Sequence, residues 1–387
     1  MDRIPLPLLV LSLVLVKPAW SQSAAEPDFK PIEQRVAHRQ FPSVFMAWSM
    51  ATNLENVDRL ENMARHDLAF HAPSVAGLRW NRQPAGLADG VDPASVPGAQ
   101  AFRTRLAELN PNLIFLAEIR YRDASQRFLP ENHTWWKRDE RDSRVAGWEE
   151  GNFYLLDFAK VEFQEAVARK SAAVVSTGVF DGVMLDWWQD DEDRIGLIRR
   201  VRKAIGPDAL ILVNANDRQT PESASYVNGY FMECWRSKTR QDWDRIAKTL
   251  LFAEANLRQP RVNCLETWYE NSRQDLNRMR ATTCLVLTHS DGYCLFSDPN
   301  DLPTGDHRHD WYPFWEKHLG RPTGKGALAT DGSARREYER GTAVYNPMGN
   351  PPLEITFEQP RRSLATGKGA KHHRVPPLDG DLFLKAN

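Results

Sequence analysis

Short apolar runs recur along the chain, each followed by a polar loop and then by a stretch with apolar residues every three or four positions. The runs are Val44 to Trp48, Leu68 to His71, Leu113 to Ile119, Val183 to Leu185, Leu210 to Val213, Tyr230 to Met232, Val262 to Leu265 and Cys284 to Thr288. The spacing between them predicts helices. One starts from an Asn53 cap and carries Leu54, Val57, Leu60, Met63 and Ala64 on one face. Others follow at 99–109, from an Asp157 cap, at 190–205, at Pro221 to Val227, at 241–257, at 274–281 and around Trp311, Phe314 and Trp315. The strands are nearly continuous in apolar residues rather than alternating, the mark of a parallel sheet covered on both faces. Eight strand–helix units predict an α/β fold, a closed (β/α)8 TIM barrel over residues 41–325. An open doubly wound sheet would place a glycine-rich turn after its first strand, and residues 48–53 (WSMATN) contain no glycine.

The flanks differ in texture. Residues 1–21 pair Arg3 with an apolar stretch from Leu6 to Val16 and small residues at Ala19 and Ser21, the layout of a secretory signal peptide. A polar linker follows at 22–40. From 333 to 387 the chain reads as a small antiparallel β appendage, with a hairpin at Tyr338 to Pro347 and short strands at Leu353 to Phe357 and Leu382 to Leu384. Its basic residues, Arg361, Arg362, Lys368, Lys371 and Arg374, read as a solvated face. A secreted or periplasmic location is expected, with no membrane association after signal cleavage.

Charge narrows the partners. The 387 residues carry 50 Lys and Arg against 51 Asp and Glu, a net charge of −1. That balance argues against nucleic acid as the partner. The four cysteines, Cys234, Cys264, Cys284 and Cys294, lie in or beside apolar runs, and their spacing matches no zinc ligand set. Oxidising surroundings permit disulfides, so bridges and buried thiols both remain open. No cofactor or metal is expected. The long segment 121–152, with Trp135, Trp136 and Trp148, reads as a functional or mobile loop.

Barrel chemistry sits at the C-terminal ends of the strands. The residues at or just past the end of each run are, in order, Trp48, then His71, Glu118 with Tyr121, Asp186-Trp187-Trp188, Asn214, Glu233 with Trp235, Glu266 with Trp268, and His289 with Asp291. Carboxylates and indoles dominate, with no nucleophile elbow, phosphate loop or dinucleotide fingerprint. Two carboxylates beside a ring-stacking surface are the minimum for cleaving a glycosidic bond. Asp186 and Glu233 are the candidate catalytic pair. Trp48, Glu118, Tyr121, Trp187, Trp188, Asn214, Trp235, Glu266, Trp268, His289 and Asp291 are candidate substrate contacts. Asp186 is expected to be the nucleophile, kept ionised by the polar Gln189 and Asp190. Glu233 is expected to be the acid/base, raised by its apolar neighbours Met232, Cys234 and Trp235.

The segment DGVMLDWW at 181–188 resembles the fourth-strand signature of glycoside-hydrolase-like barrels, a group that includes the endo-α-1,4-polygalactosaminidases and several hypothetical glycosyl hydrolase families. The segments REYERGTAVYNP at 336–347 and VPPLDGDLFL at 375–384 are similar to their C-terminal β appendage. The resemblance implies that the Asp ending strand four and a Glu ending strand six carry catalysis, here Asp186 and Glu233. The DWWQDD context departs from the polygalactosaminidase pattern, so the substrate does not carry over. The expected function is a secreted, retaining glycoside hydrolase acting on a poly- or oligosaccharide. Two other classes compete: a non-catalytic carbohydrate-binding barrel, and a metal-dependent hydrolase using a His289, His307 and His309 cluster.

Overall fold

The computed structural model describes residues 29–54, 56–299 and 307–385; the expected signal peptide at 1–21 and the first part of the linker lie outside them. In chain order the elements are α1 (Ile32–His38), β1 (Phe45–Ala47), α2 (Arg59–Ala64), β2 (Leu68–His71), α3 (Val96–Leu109), β3 (Ile114–Glu118), β4 (Asp123–Ser125), β5 (Phe153–Leu155), α4 (Val161–Val175), β6 (Gly182–Leu185), α5 (Glu192–Ile205), β7 (Leu210–Asn214), β8 (Gly229–Cys234), α6 (Arg240–Asn256), β9 (Cys264–Trp268), α7 (Leu276–His289) and β10 (Tyr293–Ser297). Six further strands follow: β11 (Ala327–Leu328), β12 (Ala334–Glu337), β13 (Gly341–Asn346), β14 (Leu353–Ser363), β15 (Gly369–Val375) and β16 (Asp379–Lys385).

Eight strands pair in parallel in the order β1-β2-β3-β6-β7-β8-β9-β10. A parallel bridge from Val44 to Cys294 closes the ring, with the Cys294 amide donating to the Ser43 carbonyl at 2.9 Å. The fold is therefore the expected TIM barrel, followed in the chain by an antiparallel sheet, β11-β12-β13-β16-β14-β15, packed against α7. The barrel strands are mainly apolar and buried, with polar residues at or near their C-terminal ends: His71, Glu118, Asn214, Glu233, Glu266, Thr267 and Ser297. Inside the barrel Phe45, Phe70 and Phe231 pack together, with Phe231 centred 5.7 Å from Phe45 and 5.1 Å from Phe70. All three rings are fully buried.

Several elements differ from the sequence expectation, each for a local reason. Cys284 to Thr288 is not the eighth strand but part of α7, and the strand is β10, one segment later. Helix α7 is covered by the barrel on one side and by β12, β13 and β16 on the other. It is buried nearly all round, from Arg278 to Thr288 with the exception of Arg280, so its apolar residues form no one-sided stripe. Thr282, Thr283 and Thr288 stay inside it by donating their hydroxyls to the carbonyls four residues back. The close approach of the sheet is visible at Gly380, where a Cβ would lie 2.6 Å from the Cys284 sulfur.

The helix expected from Asn53 is a 3-10 turn (Thr52–Leu54) followed by α2. Asp58 is the residue whose carboxylate caps the Leu60 and Glu61 amides. Lys160, not Asp157, occupies the N-cap of α4. Pro221 to Val227 forms turns rather than a helix, and only a 3-10 turn, Pro313–Glu316, stands where the last helix was expected. Part of the polar linker is helical as α1. The 121–152 loop begins with β4, which pairs with β5. All four cysteines are buried free thiols.

Helix α1 ties down the N-terminal side of the barrel. Arg35 reaches Asp181 with both guanidinium nitrogens, Arg103 reaches the same carboxylate at 3.2 Å, and the Phe115 amide donates to it at 2.8 Å. Burial alone would push the Asp181 carboxyl up. The two arginines and the amide together hold it below the usual range. Replacing one partner of such a buried cluster strands the remaining charges. Asp181→Asn is expected to cost about 3–5 kcal/mol, measured as a lower urea midpoint. Because the folded-state pKa is depressed, the wild type gains this stability above the unfolded carboxylate pKa and loses it as pH falls through the folded value. The variant should lack that acid-side dependence.

Candidate active site

The tips of β1, β2, β3, β6 and β8 surround a cleft of about 270 Å³ lined by Trp48, Ser49, His71, Arg120, Asp123, Trp148, Asp186, Trp187, Glu233 and His307. The backbone is unusual here. Trp48 (φ 50°), Trp187 (φ 53°), Asn216 (φ 51°) and His307 (φ 54°) all adopt the left-handed region. Large side chains rarely do so, and strain of about 1–3 kcal/mol per residue persists only where surroundings enforce it. At Trp187 the result is an indole 41% exposed above the cleft, with the Arg122 guanidinium 4.2 Å from its ring centre.

Asp186 and Glu233 are brought together by a third residue. The Asn214 side-chain amide donates to Asp186 Oδ1 at 2.8 Å and to Glu233 Oε2 at 2.8 Å. One nitrogen serves both, so the two bonded oxygens lie within about 5.6 Å of each other, twice that bond length. The usual splay of amide hydrogens places them near ~4.8 Å. Both acids sit against the aromatic floor. Burial pushes Asp186 up to about 6, with Arg120 pulling down and Glu118 pushing up. Burial pushes Glu233 up to about 8; His307 opposes the rise, Asp186 and Glu266 add to it, and Asn214 opposes it. Two carboxyl groups sharing one amide thus hold protons over different pH ranges.

Other expected contacts take supporting places. Glu118 accepts the Trp48 indole N–H at 2.9 Å and pairs with Arg120 at 2.8 Å. Arg120 reaches on to Asp123 at 3.6 Å, and Asp123 accepts the Trp148 amide at 3.1 Å. Glu266 is wholly buried beneath the cleft and accepts from His307 Nδ1 at 2.9 Å. Trp235 stands half exposed on the rim with the Arg236 guanidinium 4.8 Å from its ring centre, and Trp268 is partly buried at the end of β9.

Four expected contacts lie elsewhere. Trp188 is fully buried and donates to Ser223 Oγ at 3.0 Å. It points behind β6 because the left-handed Trp187 turns the chain between them. Tyr121 is buried and donates to the Trp187 carbonyl at 2.7 Å, so it supports the platform from below. His289 and Asp291 lie before β10, at the N-terminal end of the barrel, a consequence of the misplaced eighth strand. Asp291 pairs there with Arg336 at 2.7 Å, and His289 packs edge-on against Tyr345. The His289, His307 and His309 cluster does not form. His309 Nε2 faces His66 Nε2 at 2.9 Å, and no group of three metal-ligating side chains occurs among the described residues. Asp190 does not face Asp186; it accepts from the Glu222 and Ser223 amides. Arg120 and Asn214 are the groups that favour the Asp186 carboxylate.

Arg120, Asp123 and Trp148 line the cleft without having been expected there, and His307, expected only as a ligand of the alternative metal cluster, lines it beside Glu233. Arg120 and Asp123 lie within five positions of the end of β3 and were within reach of a longer reading past each run. His307 follows the true eighth strand, so with that strand placed at Cys284 to Thr288 it read as part of a His cluster and not as a residue beside Glu233.

The eight-stranded parallel barrel is a fold that solved glycoside hydrolase structures also have. The noncanonic maltogenic α-amylase AmyB of Thermotoga neapolitana superposes with a TM-score of 0.52 at 10% identity, over 90% of this chain and 100% of that one. An α-amylase of Malbranchea cinnamomea gives a TM-score of 0.50 at 10% identity, over 92% and 97%. No protein-family model and no curated protein matches the sequence.

The shared amide can be tested directly. Its hydrogen bonds lower both carboxyl pKa values. Asn214→Ala should therefore move the Asp186 titration upward from about 6 and the Glu233 titration upward from about 8, followed by 13C NMR of labelled carboxyl groups.

Proposed function

We propose that the chain is a retaining glycoside hydrolase acting on a poly- or oligosaccharide, with Asp186 as nucleophile and Glu233 as acid/base. The observation that carries this reading is the Asn214 amide holding two partly buried carboxyl groups with separated pKa values. Near neutral pH a group at about 6 is largely ionised and one at about 8 largely protonated, the division of roles that acid-assisted displacement needs. A spacing of about 5 Å suits direct attack by a carboxylate; an inverting enzyme needs a wider gap for water.

In the first step an Asp186 oxygen bonds to the anomeric carbon, the glycosidic C–O bond breaks, and the Glu233 proton passes to the leaving oxygen. In the second, water gives a proton to the Glu233 carboxylate while its oxygen displaces Asp186. The protein is restored and the anomeric configuration is retained. Trp187, with Trp48 and Trp148, offers flat apolar faces to sugar rings, as indoles commonly do at such sites. The leader read at residues 1–21 would carry the enzyme to polymers outside the cytoplasm. The likeness to the polygalactosaminidase group supports the roles of the two acids and leaves the sugar to experiment.

The test is a screen of the purified protein against polysaccharides and activated aryl glycosides. kcat/KM should be bell-shaped, its limbs near about 6 and about 8. Glu233→Ala should lose roughly 10²–10⁴-fold and regain turnover of the aryl glycoside with azide, yielding a glycosyl azide of retained configuration. An inverted first-formed product in proton NMR would reassign Asp186 as a base for water. Sugar binding without turnover on any substrate would favour the non-catalytic barrel.

Binding is tested separately. Trp187→Ala should raise KM about tenfold, as expected for loss of one ring-stacking contact of about 1.4 kcal/mol, with a smaller effect on kcat. Unchanged KM would remove Trp187 from the binding surface.

A further inference from the structure

His307 is not needed for the two-acid reaction, yet its ring is held on several sides. Its ring stacks on Trp48, with centres 5.0 Å apart and planes at 28°, and meets Phe231 edge-on at 5.6 Å. Nδ1 lies 2.9 Å from both oxygens of Glu266. Glu266 is itself held by the Ser297 hydroxyl, which donates to Oε1. A carboxylate only accepts, so Nδ1 carries the hydrogen. The other ring nitrogen, Nε2, then faces Glu233 Oε1 at 3.9 Å, while Glu233 Oε2 is taken by Asn214. The main chain fixes the same geometry. The His307 carbonyl lies 3.2 Å from His309 Nδ1, and His309 bridges to both Ala51 and Ser297.

We propose that His307 is a positioning residue that shares one proton with Glu233: Glu266 locks the imidazole so that Nε2 alone faces the acid/base carboxyl. The catalytic consequence rests on the hydrolase reading above, whereas the shared proton is a property of the resting protein. With one proton in the pair there are two forms, a protonated Glu233 beside a neutral imidazole and a Glu233 carboxylate beside an imidazolium. The proton leaves for the glycosidic oxygen as the C–O bond breaks, from either form by way of Glu233. A carboxylate and a neutral imidazole remain, and the attacking water returns one proton to Glu233. No electron moves and no proton is lost over the cycle. The 3.9 Å gap is longer than a hydrogen bond, as is common before substrate closes a site.

The charges around the pair define its pH response. Asp186 and Glu266 favour the proton on Glu233; an imidazolium at His307 and the Asn214 amide favour the carboxylate. Arg120, Glu118 and Asp123 act on the Asp186 side, and Arg273 acts on the His309 side.

The experiment uses the full chain without substrate, with 13C-labelled glutamate carboxyls and 15N-labelled imidazoles followed by NMR across pH. In the wild type, Glu233 and His307 should titrate together in two steps. In His307→Gln, Glu233 should titrate in one step, at higher pH, because no imidazolium then favours its carboxylate. In Glu266→Gln the Nδ1 hydrogen should no longer be fixed, and the His307 titration should fall by about one pH unit or more. If Glu233 titrates in one step in the wild type, and His307→Gln leaves it in place, the shared proton is refuted. The wild-type measurement needs no variant to fold. Activity separates the two readings. Coupled titration with no turnover of any glycoside overturns the hydrolase assignment alone. Asp186- and Glu233-dependent turnover with independent titrations overturns the pair alone. With both intact, the alkaline limb of kcat/KM in His307→Gln should move up with the Glu233 titration, which loss of packing alone would not produce.

Discussion

The aromatic floor of the barrel is the constraint on which the site depends. Phe45, Phe70 and Phe231 pack together in the barrel interior, and Asp186 and Glu233 stand partly buried at the strand tips. Desolvation is the largest influence on both Asp186 and Glu233. Without it the two acids would titrate near their ordinary values, and no proton would remain on Glu233 at neutral pH. Asn214 holds the two acids together, and their neighbours distinguish them by charge: Arg120 for Asp186, and Asp186 with Glu266 for Glu233.

That floor also explains where the backbone departs from ordinary conformations. A chain leaving a buried strand has one or two residues in which to turn a large side chain over the mouth. Trp48 and Trp187 do so with left-handed backbone at the ends of β1 and β6. The cost is borne because hydrogen bonds enforce the turn on each side: Trp48 through its indole to Glu118, and Trp187 through its carbonyl to Tyr121. Tyr121 and Glu118, read from the sequence as substrate contacts, are the supports that hold two indoles in place.

The barrel was legible because its strands are short, apolar and regularly separated, and because the acids come directly after them. Asp186, Asn214 and Glu233 are each one step from the end of a run or within it. The error came where periodicity carries no information. Helix α7 is covered on two sides, so its Cys284–Thr288 segment has the composition of a strand. That one displacement put His289 and Asp291 at the mouth in the sequence reading, where they grouped with His307 as a metal cluster, whereas they lie at the other end of the barrel and His307 lies beside Glu233. Trp188 was lost for another reason: adjacent indoles in a strand-end turn look equivalent in sequence, and only the backbone at Trp187 decides which one is buried.

The two-sided burial of α7 makes the C-terminal sheet part of the barrel wall. In most barrels of this kind the outer helix is the boundary with solvent; here the boundary is displaced outward by one layer, to β12, β13 and β16. Stripping that layer would leave an apolar helix facing water and loosen the element that precedes β10. From β10, Ser297 reaches Glu266, and Glu266 reaches His307. The sheet is therefore not an exchangeable module: its attachment to α7 and the setting of a ring nitrogen at the opposite mouth belong to one mechanical unit.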